Sequence, residues 1–99
     1  MPETIAKGRL SLDVTAGVAM LDGNDLLLTQ KEFALLLIFV QNEGRFIDME
    51  YLYEKVWKAP FTNDSNALKN AVARLRAKIK GSGWYVEWSR GEGYMFGTE

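Results

Sequence analysis

Asn66-Ala67-Leu68-Lys69-Asn70-Ala71-Val72-Ala73-Arg74-Leu75-Arg76-Ala77-Lys78-Ile79-Lys80 is the most informative run in this 99-residue chain. Leu68, Ala71, Val72, Leu75 and Ile79 recur at intervals of three and four, so the segment is an amphipathic helix with one apolar stripe. The opposite face carries Asn66, Lys69, Asn70, Ala73 and Arg74, with Ala77 and Lys80 further along. The segment holds five basic residues and no acid. Asp64 or Ser65 caps its start, and Gly81-Ser82-Gly83 ends it.

The charge of this helix contrasts with the chain that precedes it. Residues 1–65 carry six basic and ten acidic groups, a balance of -4, whereas residues 66–99 carry six basic and three acidic groups, a balance of +3. The formal net charge of -1 is therefore the sum of an acidic scaffold and one basic helix. A solvated surface face is the ordinary explanation of a charge cluster. The absence of acids over fifteen residues of an otherwise acidic chain favours the footprint of a phosphate backbone. On the outward face Asn70 suits the donor–acceptor pair of adenine, Lys69 and Arg74 suit the acceptors of guanine, and Ala73 can touch a thymine methyl.

Upstream of this helix the sequence supplies two more. Thr29-Gln30-Lys31-Glu32 is a capping box, opening a helix that runs to about Asn42 with Gly44 as its stop. Phe33, Leu36, Leu37 and Val40 keep helical spacing, while Leu35, Ile38 and Phe39 make the other faces apolar too, so this helix is central. Asp48 opens the second helix, in which Met49, Leu52, Tyr53 and Val56 form the stripe. It ends near Trp57, because Pro60 cannot continue it.

The flanks read as strands. Arg9 to Leu28 contains short apolar runs separated by turns at residues 15–17 and 22–24, the last run being Leu26-Leu27-Leu28, so it forms a small antiparallel meander. Residues 84–96 place aromatic and β-branched residues on both sides of Arg90-Gly91-Glu92-Gly93, which reads as a second hairpin with Trp84, Val86 and Trp88 on one face. Trp57, Trp84, Tyr85, Trp88, Tyr94 and Phe96 are assigned to the core rather than to a base-stacking platform. Residues 1–8 are expected to be disordered or linker-like, and residues 9–97 to form one domain. The fold class is α+β, in the order strands, three helices, hairpin.

Composition narrows the chemistry. With no cysteine and no histidine, thiol nucleophiles, Cys- or His-ligated metals and Ser-His-Asp triads are excluded, and no carboxylate spacing marks an acid–base pair. Neither a catalytic site nor a cofactor or metal is expected. No signal peptide is visible, and the longest apolar run, Phe33 to Val40, falls well short of the roughly 20 residues needed to span a membrane. A cytoplasmic location with no membrane partner is expected.

Four motifs in order carry a family resemblance: Leu28-Thr29 with Glu32-Phe33 and Leu35-Leu36; Leu52-Tyr53-Glu54-Lys55-Val56-Trp57; residues 72–79; and Arg90-Gly91-Glu92-Gly93-Tyr94-Met95-Phe96. Together they resemble the OmpR/PhoB-type winged-helix domain, the C-terminal effector domain of bacterial two-component response regulators. The resemblance covers residues 9–96 and implies an N-terminal four-stranded sheet, three helices and a C-terminal β-hairpin wing. It further implies double-stranded DNA as partner, with the third helix in the major groove and the wing near the minor groove. Two copies would bind tandem repeats as a homodimer, and a receiver domain would belong to a longer parent protein.

Carried over by position, Lys69, Asn70 and Arg74 would face bases, with Asn66 and Ala73 on the same surface. Arg76 and the Trp57 indole would approach phosphates, Lys78 would join the DNA-facing cations, and Arg90 would brace the wing. The segment containing Lys58, Phe61, Thr62 and Asn63 would contact RNA polymerase. The chain departs from the family pattern at Asn66, Ala67, Ala73, Glu92 and Met95, each change removing a phosphate donor or adding a repelling charge. These departures imply weaker DNA binding, or binding dependent on dimerisation. They also motivate an alternative in which the winged helix has exchanged DNA for a protein partner.

Overall fold

The computed structural model describes residues 3–62 and 65–98. Four strands, β1 (Thr4–Lys7), β2 (Leu10–Asp13), β3 (Val18–Leu21) and β4 (Asn24–Asp25), form an antiparallel sheet in sequential order. Leu10 and Leu12 alternate with half-buried neighbours and point into the core. Asp22 and Gly23 both take positive φ, 52° and 83°, as a two-residue hairpin turn requires.

Two expectations for this region are corrected. Thr4–Lys7, assigned to a linker-like terminus, is a strand paired with β2 over four residues, and the Trp84 indole donates to the Lys7 carbonyl at 3.0 Å. Leu26-Leu27-Leu28 is not a strand, because β4 ends at Asp25. There the Asp25 carboxylate accepts from the Leu27 amide at 2.8 Å, and Leu27 turns to a φ of 56°. Leu26 and Leu28 pack against the core, whereas Leu27 is 75% exposed.

Helix α1 (Gln30–Gln41) opens with both halves of the predicted capping box and is the centre of the molecule. Phe33, Leu35, Leu36, Phe39 and Val40 are buried, covering more of its circumference than a single stripe would. Beyond it, Gly44 at a φ of 81° donates to the Phe96 carbonyl, and β5 (Phe46–Ile47) pairs with the C-terminal hairpin. Strand β5, two residues long, is absent from the sequence reading.

Helix α2 (Met49–Trp57) starts after Asp48 and ends at Lys58 in the left-handed conformation, two residues before Pro60. Helix α3 (Asn66–Ile79) follows, with Ser65 at the cap position, and buries Leu68, Ala71, Val72, Leu75 and Ile79, the predicted stripe. Strands β6 (Trp84–Ser89) and β7 (Gly93–Thr98) form the C-terminal hairpin, with sheet order β5-β7-β6. Phe96 stacks between Trp84 at 4.7 Å and Phe39 at 6.4 Å, fixing the hairpin to α1. Arg9 pairs with Asp22 and donates to the Gly81 carbonyl at 2.7 Å, tying the N-terminal sheet to the end of α3.

Candidate nucleic-acid interface

With its apolar stripe on the core, α3 presents Asn66, Lys69, Asn70, Ala73 and Arg74 to solvent, followed by Ala77 and Lys80. All are exposed, so the predicted outward face is the observed one. The β6–β7 hairpin projects beside it. Lys69, Arg76, Trp88 and Tyr94 line a groove of about 300 Å³ between helix and hairpin.

Three of the basic groups are engaged inside the domain. Lys78 donates to Glu32 Oε1 at 2.7 Å and to the Leu27 carbonyl at 2.8 Å, which turns it toward the start of α1 rather than outward. Arg76 donates to the Val86 carbonyl through Nε at 3.0 Å and an Nη at 2.9 Å, and lies 5.7 Å from the Tyr94 ring centre. Arg74 remains about half exposed, with its Nε on Glu32 Oε2 at 2.9 Å. Bracing of the wing, expected of Arg90, is therefore performed by Arg76. Arg90 is exposed at the hairpin turn and makes no side-chain hydrogen bond or ion pair with a described residue.

Glu32 is the residue that the sequence reading missed. Its place in the capping box predicts a local role alone, yet its side chain is wholly buried and joins the start of α1 to α3. Burial alone pushes its carboxyl up. Hydrogen bonds from Lys78, the Thr29 amide and Arg74 together outweigh burial and hold it below the usual carboxylate range. The legible signal was the four-residue spacing of Arg74 and Lys78, which places two cations on one edge of a helix.

The aromatic residues divide. Phe96 and Tyr94 are buried, as the core assignment requires, but Trp88 is 45% exposed and rests tilted against Tyr94 at 5.1 Å. Burial raises the Tyr94 hydroxyl pKa, with nearby Arg76 opposing. Trp57 is half-buried, stacked on Tyr53 at 5.0 Å with the Lys31 ammonium 5.6 Å from its ring. In the segment after α2, Phe61 meets Tyr53 edge-on at 5.3 Å and its amide donates to Glu54. Lys58 and Thr62 are exposed, and Asn63 and Asp64 lie outside the described residues. Glu92 is exposed in the hairpin turn, whereas Met95 is half-buried in β7. Among the described residues no cluster of acids could hold a metal ion, and no helix is long and apolar enough to cross a membrane.

Comparison with known proteins agrees with this architecture. A family model described as "Transcriptional regulatory protein, C terminal" matches residues 23–96. Regulatory protein VanRB of Enterococcus faecalis is 36% identical over 87 residues, which span 88% of this chain and 39% of that protein. Transcriptional regulatory protein CusR of Escherichia coli is 34% identical over 88 residues, 87% of this chain and again 39% of the relative. The chain thus spans about two fifths of the length of these relatives. Among solved structures, the DNA-binding domain of CpxR from E. coli superposes with a TM-score of 0.87 at 28% identity, covering 97% of each chain. The Klebsiella pneumoniae RstA DNA-binding domain, solved in complex with the RstA box, shares the fold with a TM-score of 0.84 at 23% identity, covering 96% of this chain and 97% of that one. With its three helices, N-terminal sheet and C-terminal hairpin, the chain belongs to the transcriptional regulatory protein C-terminal family, as a winged-helix effector domain of the OmpR/PhoB type.

Proposed function

We propose that this domain binds double-stranded DNA sequence-specifically as the effector part of a response-regulator transcription factor. Helix α3 enters the major groove and the β6–β7 hairpin lies near the minor groove. The acid-free outward face of α3 carries the reading, because Lys69, Asn70, Ala73 and Arg74 combine base-edge donors with positive charge on one exposed surface. Arg90 at the exposed wing turn and Lys80 beyond α3 add phosphate partners. The half-exposed Trp57 indole supports a further backbone contact.

In the parent protein, a receiver domain precedes this one and two copies occupy tandem repeats. The segment from Lys58 through Phe61 and Thr62 to Asn63 meets RNA polymerase. Its support is position, since residues 58–62 continue directly from the end of α2 and Phe61 is anchored on Tyr53.

Selection of bound duplexes from a random pool, followed by titration of the recovered site, tests the DNA reading. With Arg76 and Lys78 held internally and Lys69 and Arg74 on bases, Lys80 and Arg90 remain for phosphate, so log affinity falls against log salt with a slope of about -1.8. Failure to bind any duplex at low salt refutes the reading. A slope of about -3.6 shows that Arg76 and Lys78 leave their internal partners on DNA.

A further inference from the structure

The Glu32 side chain divides its two oxygens unequally. Oε1 accepts from Lys78 Nζ at 2.7 Å and from the Thr29 amide at 3.0 Å, while among the described residues Oε2 accepts from Arg74 Nε alone, at 2.9 Å. Arg74 makes no other hydrogen bond with a described residue, so both of its terminal Nη groups are unengaged on the exposed face. Resting on the DNA-binding reading above, we propose that Glu32 is a positioning residue for sequence readout. It grips Arg74 by Nε alone and presents the Nη pair end-on to a guanine in the major groove.

The chemistry follows from donor counting. Guanine offers O6 and N7 side by side, and an arginine matches them with two N–H groups of its planar fork. A carboxylate holding an arginine in the bidentate manner would consume an Nη as well as Nε. Lys78 and the Thr29 amide prevent that here by occupying Oε1. Glu32 can serve as a fixed anchor because it is fully buried in the first turn of α1 and held there by the capping box. An anchored guanidinium loses less rotamer freedom on meeting a base than a free one, so the gain is in discrimination at one base pair.

The experiment uses the duplex selected above and copies in which each guanine in turn is replaced by 7-deazaguanine, which lacks the N7 acceptor. At one guanine this replacement weakens the wild-type domain by about tenfold. Arg74→Ala is indifferent to the same replacement. Glu32→Gln keeps the side-chain shape but turns an amide N–H toward Arg74 Nε, so it behaves as Arg74→Ala at that guanine, and the double variant loses nothing more. Thermal melting first shows that each variant is folded.

Should Glu32→Gln fail to fold, Lys78→Met decides. With Oε1 partly vacated, Arg74 can take both oxygens, and sensitivity to 7-deazaguanine falls severalfold. Full sensitivity in the folded Glu32→Gln variant, or in Lys78→Met where that variant substitutes, overturns the proposal. So does equal weakening on every duplex, which marks a purely structural role. If the wild-type domain binds no duplex, the DNA reading itself has failed, and this inference with it.

Discussion

Replacing Gly93 and, separately, Gly91 by alanine distinguishes backbone overlap from the cost of a positive φ. Gly93 begins β7 at a φ of 105°, and a Cβ built on it would lie 2.0 Å from the Ile47 carbonyl oxygen, 2.7 Å from the carbonyl carbon and 3.1 Å from Asp48 Cα. All three are backbone atoms of or beside β5, so no side chain can swing away. Restoring ordinary contact requires β5 and β7 to part by roughly 1.4 Å, at a cost of about 1–3 kcal/mol or more by analogy with overpacked cores. The positive φ adds about 1–2 kcal/mol for a residue with a Cβ. Gly91, in the same turn at a φ of 80°, meets nothing within 4 Å and carries only the second cost when changed to alanine. Urea unfolding of both variants should place Gly93→Ala about 2 kcal/mol or more below Gly91→Ala. A domain of this size shifts by about 4–8 °C per kcal/mol, so thermal midpoints should differ by at least roughly 8 °C. Equal losses in the two variants would refute the claim that β5 is clamped against the root of the wing.

Other tests address the interface. Since Glu32 is held below the ordinary carboxylate range of about 4.3, its contribution to stability is complete above that pH and is lost as pH falls through the depressed folded value. Urea midpoints measured between about pH 7 and pH 3 should show this fall, and Glu32→Gln should flatten it. Arg76→Ala removes two hydrogen bonds to the Val86 carbonyl and the contact with Tyr94. It should cost about 1–2 kcal/mol of stability and weaken all duplexes alike, whereas altered base preference would place Arg76 on a base instead. Glu92→Lys places a cation in the exposed wing turn and should tighten DNA binding, steepening the salt slope by about 0.9. An unchanged slope would put the wing tip away from phosphate.

Legibility in the sequence varied with the range of the interactions concerned. The α3 stripe, the Thr29–Glu32 capping box and the Asp22-Gly23 turn were readable because each is settled by residues within about four positions of one another. Strand β1 leaves no local signal, because its four residues are ordered by β2 and by the Trp84 indole 77 positions away. Strand β5 gave no periodic signal, as two residues cannot show one. Strand alternation puts Trp88 on the face of Val86 and predicts it inside, yet the hairpin extends past the core at that point and leaves the ring partly bare.

The sequence by itself determined the amphipathic helices, their order, and the separation of an acidic scaffold from one basic face. These depend on residue type at fixed local spacing, which the backbone geometry of helix and turn converts directly into a surface. Tertiary structure alone decided which cations remain for a partner. Lys78 and Arg74 meet Glu32 across more than 40 residues of chain, and Arg76 is drawn to a carbonyl in the wing. Net charge counts such groups equally. A buried carboxylate or carbonyl needs its donors, because leaving one unpaired costs more than an exposed pair returns, and so the fold claims part of the basic helix for itself.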